Sequence, residues 1–306
     1  MKKVLIATEK PFAKIAVDGI RTIFDDAGYE TFLLEKYASA GEFYRAVAHV
    51  DALIVRSDRV TKEVIDAASN LKIVVRAGAG YDNLDLTACS QKGIVAMNTP
   101  GQNSNAVAEL ALGMMIYMAR NNFEPIAGTE LRCKKLGIHA YGNIGKLVAM
   151  LGKGFGMETY AYDPFVEHQI MQNDGVIPVD SVSELYANCH YISLHIPVTE
   201  QTRRSIGYEL IASMPRGGTI INTARKEVID EEGLLKAMTE RNDLKYATDV
   251  APDAMKKLHE NAGSRFFATA KKIGAETDQA NINAGLAAAR QIVDFFEKGD
   301  RKFQVN

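Results

Sequence analysis

The chain has 306 residues, 47% hydrophobic and 24% charged, enough to bury a sizeable core and long enough for two domains. Its 36 basic and 38 acidic residues leave a net charge of −2, which gives no general attraction to nucleic acid or to a membrane surface, so any anion site has to be local. Three widely spaced cysteines, Cys89, Cys133 and Cys189, form no CxxC pair and have no accompanying His ladder. This argues against a disulfide framework or a metal site and for a reduced cytoplasm. No charged and apolar leader precedes the first strand, and no apolar run approaches the ~20 residues of a membrane span.

Val4 to Ala7 reads as a first strand. After Pro11, the spacing of Ala16, Ile20, Ile23, Phe24 and Ala27 predicts an amphipathic helix stopped by Gly28. The alternation continues through strands at 29–34, 52–55, 72–76 and 94–97, with helices near 41–50, 61–68 and 84–92 between them. Strands alternating with helices imply a parallel, doubly wound sheet, whose ligands bind beyond the carboxyl ends of the strands. Three of those ends carry polar or glycine-rich tails: Arg56-Ser57-Asp58, Arg76-Ala77-Gly78-Ala79-Gly80 and Asn98-Thr99-Pro100. A long helix over 104–120 follows, rich in Ala, Leu and Met and apolar on most faces, which implies burial between domains or subunits. Further along, helices are expected at 180–187, 208–214 and 231–241 and strands at 191–196, 219–222 and 245–250. A C-terminal helix carries Ile282, Leu286, Ala289, Val293 and Phe296, and an edge strand within 301–306 completes the reading.

The stretch from Lys135 to Asp163 carries the most chemical information. An apolar run, Leu136 to Ala140, is short enough for a buried parallel strand and leads into an Ala-x-Gly-x-x-Gly turn made by Ala140, Gly142 and Gly145. A helix to Phe155 and a strand to Tyr162 come next, and the strand ends on Asp163, 21 residues after Gly142. A dinucleotide needs these parts in this order. Its pyrophosphate must approach main-chain N–H groups at a helix N-terminus, and a Cβ at Gly142 would obstruct that approach. Gly145 lets helix and strand pack closely, and the acid at the end of the second strand reaches the adenosine ribose hydroxyls. A carboxylate there repels a 2′-phosphate, so NAD is expected rather than NADP. Alanine at position 140, in place of the usual first glycine, is tolerated if its φ is negative.

With these parts in place, the chain resembles the D-2-hydroxyacid dehydrogenases. The pieces VRAGAGYDNLD, NTPGQNSNAVAEL, HAYGNIG, YAYDP, LHIPVT and NTARKEVIDEEGL stand in that family's order and spacing over nearly the whole chain. Within the family the likeness is greatest to members that oxidise 3-phosphoglycerate, in a short form without a C-terminal regulatory domain. The resemblance implies two doubly wound parallel-sheet, Rossmann-like domains with a cleft between them. Residues 1–98 form the first part of the substrate-binding domain, 99–275 the NAD-binding domain, and 276–306 return to the first. The apolar helix after Asn105 makes a homodimer through the NAD domain the expectation.

Roles carry over residue by residue. The resemblance puts Ala140, Gly142, Asn143, Ile144 and Gly145 at the pyrophosphate, Asp163 at the ribose, and Ile196 and Pro197 on the cofactor. Thr223, Ala224 and Asp249 fall toward the nicotinamide end. Arg225 is the arginine that holds the substrate carboxylate and the reacting oxygen, a task suited to a planar, permanently charged fork. The family's catalytic histidine is replaced here by Lys272, in Ala-Lys-Lys-Ile-Gly-Ala. Lysine starts near ~10.4, so as a base it needs burial or a neighbouring cation to lower it, and Arg225 can be that cation. The glutamate that usually orients the base is replaced by Ala254, which leaves Asp253, one residue earlier, as the candidate orienting acid. A phosphorylated hydroxy acid needs more than one arginine, and Arg56, Ser57, Arg76, Ala77, Gly78, Ala79 and Asn103 are the expected substrate contacts.

The expected reaction is NAD-dependent oxidation of 3-phosphoglycerate to 3-phosphohydroxypyruvate, the entry to serine synthesis. The alternatives are a reductase for glyoxylate, hydroxypyruvate or another small 2-oxo acid, and a catalytically lapsed NAD(H)-sensing binding protein.

Overall fold

The computed structural model describes residues 1–306 and divides into two compact units, Met1–Asn103 with Glu276–Asn306, and Ser104–Ala275. No helix is long and apolar enough to cross a membrane.

The first unit alternates β1 (Lys3–Thr8), α1 (Lys14–Asp26), β2 (Glu30–Glu35), α2 (Ala40–Val47), β3 (Ala52–Val55), α3 (Lys62–Ala67), β4 (Ile73–Arg76), α4 (Leu86–Gln91) and β5 (Val95–Asn98). Its five strands pair in the order β2-β1-β3-β4-β5, every pair parallel. Both faces are covered, so the strands are apolar without interruption: Leu5, Leu53 and Val74 face α2 and α3, while Ile6, Ile54 and Val75 face the C-terminal helix. That helix, which runs over Asp278–Lys298, starts where the Thr277 hydroxyl accepts the Ala280 N–H at 3.1 Å and stops at Gly299 in the left-handed region. It crosses α1 closely. A Cβ on Gly19 would stand 2.7 Å from Leu286, and one on Gly285 would stand 3.0 Å from Ile20.

The second unit contains α5 (Ser104–Ala119), β6 (Lys135–His139), α6 (Asn143–Gly154), β7 (Glu158–Tyr162), α7 (His168–Asn173), β8 (Ile177–Pro178), α8 (Val182–Asn188), β9 (Tyr191–Leu194), α9 (Tyr208–Ser213), β10 (Thr219–Asn222), α10 (Glu231–Glu240), β11 (Lys245–Thr248), α11 (Met255–Ala262) and β12 (Phe266–Ala268). The C-terminal helix of the first unit is therefore α12. Seven strands run in the order β12-β11-β10-β9-β6-β7-β8, all parallel. The order reverses between β6 and β9, and loops leaving the carboxyl ends of strands at such a reversal form the ligand crevice of this fold class. α5 and α6 cover one face and α8 to α11 the other.

One sequence expectation of the fold is corrected by the structure, and four short elements had none. The 301–306 tail does not form an edge strand: it makes a single antiparallel bridge, Met97 to Gln304, and the Val305 N–H donates to the Ala96 carbonyl at 2.9 Å. α7, β8, α11 and β12 have no sequence counterpart. β8 is two residues long and half proline, and α11 buries only Leu258 and Ala262, too little pattern for periodicity to register.

Candidate active site

The glycine turn joins β6 to α6. Gly142 is the N-cap of α6, the 12-residue helix that follows, and no heavy atom lies within 4 Å of the point its Cβ would occupy, which leaves room for a ligand beside that helix N-terminus. Gly145 is the opposite case. A Cβ there would run into the Ala140 carbonyl oxygen and come within 2.9 Å of the Ile138 side chain. Ala140 contradicts the expected negative φ: it sits at +81°, held by its N–H on the Tyr162 carbonyl at 2.9 Å. This left-handed conformation costs an L-residue about 1 kcal/mol, which the surrounding packing must supply.

Asp163 follows β7 directly. Its Oδ2 accepts the Tyr141 N–H at 2.8 Å and its Oδ1 the Phe165 N–H at 2.9 Å, which ties the acid to the glycine turn. Each carboxylate oxygen retains a lone pair for a hydroxyl donor. Beneath the turn, burial holds the His139 imidazole down to about 4, and His195 at the end of β9 is lowered to about 3 by burial and by His139. Both rings are thus neutral near pH 7. His195 receives or gives a hydrogen bond at Nε2 with Ser193, at 2.9 Å, while its enclosed Nδ1 has no partner.

The second cluster lies where β10 and β11 end. Lys272 Nζ donates to the Ala224 carbonyl at 2.7 Å, and Arg225 Nη1 donates to the same oxygen at 2.9 Å. Asp249 is fully buried, and its Oδ2 accepts the N–H groups of Ile273 and Gly274 at 3.2 and 2.7 Å. These two bonds fix the loop that presents Lys272 to the end of β11. Burial raises the Asp249 carboxyl above its usual range, and Lys272, the Gly274 and Ile273 N–H groups and Arg225 oppose the rise. Asp249 Oδ1 and the Thr223 hydroxyl are both enclosed without a hydrogen-bond partner. Unpaired polar atoms are costly to bury, and both stand at strand ends on the crevice side of the sheet.

Asp253 is not part of this cluster. Its carboxylate is 80% exposed and pairs with Lys226 at 2.5 Å. The Asp253 and Ala254 N–H groups both donate to the Glu231 carboxylate, at 2.9 and 2.6 Å, which pins the loop in this arrangement. In the first unit, Arg56 stacks 5.3 Å from the Phe12 ring centroid and donates to Asn281 Oδ1 at 2.6 Å. Arg76 donates through Nε to the Arg56 carbonyl at 3.0 Å and folds over Gly78. Ala79 is held through its carbonyl by Asn98 Nδ2 at 2.6 Å, Ser57 is exposed, and Asn103 Oδ1 is enclosed without a partner.

The residues present fit a dinucleotide with no 2′-phosphate. An open cradle lies over Gly142, a carboxylate closes the β7 end, and orphaned polar atoms remain at the ends of β9, β10 and β11.

The chain belongs to the D-isomer specific 2-hydroxyacid dehydrogenases, and its residues 90–268 match the NAD-binding domain of that family. Among solved structures it is similar to an NAD+-bound 3-phosphoglycerate dehydrogenase of Entamoeba histolytica, at 51% identity and a TM-score of 0.88 over 100% of this chain and 98% of the other. Among curated proteins it is 36% identical over 265 residues to the D-3-phosphoglycerate dehydrogenase of Methanocaldococcus jannaschii, covering 82% of this chain and 51% of that one. It thus spans about half the length of that relative. It is also 34% identical over 282 residues to the hydroxypyruvate reductase of Thermotoga maritima, covering 86% of this chain and 90% of that one.

Proposed function

We propose that this chain oxidises 3-phosphoglycerate to 3-phosphohydroxypyruvate with NAD as the hydride acceptor, the first step of serine biosynthesis. The observation that carries the reading is the shared acceptor: one carbonyl oxygen, that of Ala224, takes a hydrogen bond from both the Lys272 amine and the Arg225 guanidinium. A primary amine is thereby held beside a permanent cation. The likeness to two relatives named for phosphoglycerate oxidation supports the choice of substrate.

In this scheme Gly142, Asn143, Ile144 and Gly145 receive the cofactor pyrophosphate and Asp163 its ribose. Ala140, Ile196 and Pro197 line the dinucleotide, and Thr223, Ala224 and Asp249 line its reactive end. When bound, NAD supplies the acceptor for the hydride that leaves substrate C2. Arg225 holds the carboxylate and the C2 oxygen by paired N–H donors, which both orients the substrate and keeps negative charge in place as the C–O bond shortens. Lys272, as the neutral amine, takes the hydroxyl proton; in the reverse direction the ammonium returns it. Asp249, rather than Asp253, holds the lysine loop in place. Arg56, Ser57, Arg76, Ala77, Gly78, Ala79 and Asn103 remain the proposed contacts to the phosphate end of the substrate, and a second copy of the chain the proposed partner of the apolar α5 face.

The relative named a hydroxypyruvate reductase, matched over most of its length, favours a second reading: reduction of an unphosphorylated 2-oxo acid. Initial rates with NADH and 3-phosphohydroxypyruvate, hydroxypyruvate or glyoxylate separate the two. The phosphorylated substrate is expected to give the highest kcat/KM. An equal or higher value for hydroxypyruvate overturns the phosphoglycerate assignment, and tight NADH binding without turnover on any of them supports a sensing protein instead.

A further inference from the structure

Asn222, the last residue of β10, belongs to no role assigned so far. It is fully buried, and its side chain bonds both the turn that follows it and the neighbouring strand β11. Its Oδ1 accepts the Ala224 N–H at 3.0 Å, and its Nδ2 donates to the Arg225 carbonyl at 3.0 Å and to the buried Tyr246 hydroxyl at 3.2 Å. Its main-chain carbonyl accepts the Thr248 hydroxyl at 2.8 Å and the Asp249 N–H at 3.2 Å. The side chain braces the turn carrying the shared Ala224 carbonyl. The main chain fixes Asp249, which in turn pins the loop of Lys272.

We propose that Asn222 is the positioning residue for the proton carrier: it aims the Ala224 carbonyl at the Lys272 amine, in place of the side-chain carboxylate that this chain lacks at position 254. The inference rests on the reading of Lys272 given above. An amide is required because one end must accept from Ala224 and the other must donate to Arg225 and Tyr246. Aspartate cannot donate there, and leucine, of similar size, can do neither. With the brace gone the turn between Asn222 and Arg225 relaxes, and the amine loses the fixed acceptor that sets its direction.

The test is a double-mutant cycle on the full chain: wild type, Asn222→Ala, Lys272→Ala and the double variant, with kcat, KM and NADH affinity measured for each. Asn222→Ala is expected to lower kcat ~10–100-fold while NADH affinity stays within about twofold. In the Lys272→Ala background the same change is expected to cost less than ~3-fold, because the residue acts through the lysine. In the NADH-driven direction, where the ammonium is the required acid, the basic limb of the kcat/KM pH profile should also move in Asn222→Ala, which a general loosening of the fold would not produce. An equal cost in both backgrounds, or kcat within threefold of wild type in Asn222→Ala, overturns the proposal while the reading of Lys272 stands. Full activity of Lys272→Ala instead overturns that reading, and this inference with it. Should Asn222→Ala fail to fold, Tyr246→Phe removes only the hydroxyl that receives Nδ2, and the cycle is repeated with it. The expected fall in kcat is then ~3–10-fold, abolished in the Lys272→Ala background; a cost that persists there overturns the proposal.

Discussion

Gly142 and Gly145 stand three residues apart in one motif, yet alanine at each should fail for opposite reasons. Gly142 has φ −84° and ψ −158°, extended backbone that alanine adopts without strain, and nothing lies within 4 Å of the new methyl. Gly142→Ala should therefore leave the fold intact or stabilise it by ~0.4–1 kcal/mol, through the freedom removed from the unfolded chain. The methyl stands over the N-terminus of α6, so the cost falls on the ligand. Loss of one charge-assisted hydrogen bond to the pyrophosphate, worth ~1.5–3 kcal/mol, raises the NADH Kd ~10–100-fold. Gly145→Ala instead drives a methyl into the Ala140 carbonyl and to 2.9 Å from Ile138, neither of which is the loose end of a side chain. Overpacking of that kind costs ~1–3 kcal/mol, only partly offset by the ~1 kcal/mol by which alanine is the better helix former. At ~2–4 °C per kcal/mol for a unit of this size, Tm falls by several degrees. Thermal melts and NADH fluorescence titrations on both variants decide the matter. Wild-type NADH affinity in Gly142→Ala would refute the assignment of the α6 N-terminus to the pyrophosphate, and unchanged stability in Gly145→Ala would refute the packing argument.

Lys272→Ala should lower kcat at least ~100-fold and Arg225→Ala should abolish turnover, each with NADH affinity little changed in a binding titration; a fully active Lys272→Ala points to another proton carrier. Asp163→Ala should narrow the discrimination between NADH and NADPH, read as the ratio of kcat/KM values, and an unchanged ratio removes the ribose contact. The buried His139 makes stability depend on pH. Its pKa is lowered to about 4 in the fold against an ordinary value of 6.5, so the unfolded chain binds the proton more readily and stability drops as pH falls below 6.5, until the folded pKa is passed. Between pH 7 and pH 5 this one group withdraws about 2 kcal/mol. Urea denaturation of His139→Gln should show a correspondingly flatter decline, and an identical decline in both proteins shows that the acid sensitivity lies elsewhere.

The strand and helix rhythm was legible because parallel strands buried on both faces leave apolar runs that helical spacing cannot mimic. β3 and β10 fall where their runs of Ala52 to Val55 and Thr219 to Asn222 begin and end. β8 and β12, at the two edges of the second sheet, were illegible. Two or three residues carry no period, and edge pairing is decided by the neighbour rather than by the segment itself. The glycine turn could be read as a motif, but the +81° φ of Ala140 could not: alanine ordinarily avoids that region, and only the Tyr162 carbonyl and the packed neighbours hold it there. Asn222 was hidden for a different reason. One amide inside NTARKEV looks like any polar strand end, and three of its five hydrogen bonds, those to Tyr246, Thr248 and Asp249, become visible only when β11 is laid beside β10.

In the proposed scheme, lysine at 272 where the resemblance puts a histidine and alanine at 254 where it puts a glutamate are, on physical grounds, one change rather than two. An imidazole has two nitrogens, so one can face the substrate while the other is oriented by a carboxylate. A lysine has a single nitrogen, and the group that orients it also sets its charge. A carboxylate in direct contact would favour the ammonium and make the amine a poorer base in the oxidative direction. A main-chain carbonyl accepts a hydrogen bond from the amine or from the ammonium alike, and so fixes direction while favouring the charged form less strongly. Ala224 offers such an acceptor at 2.7 Å, and Asp253 pairs with Lys226 instead. In the proposed scheme a carboxylate restored at 254 would therefore not repair this site. It would return an orienting acid to a base that works better without one.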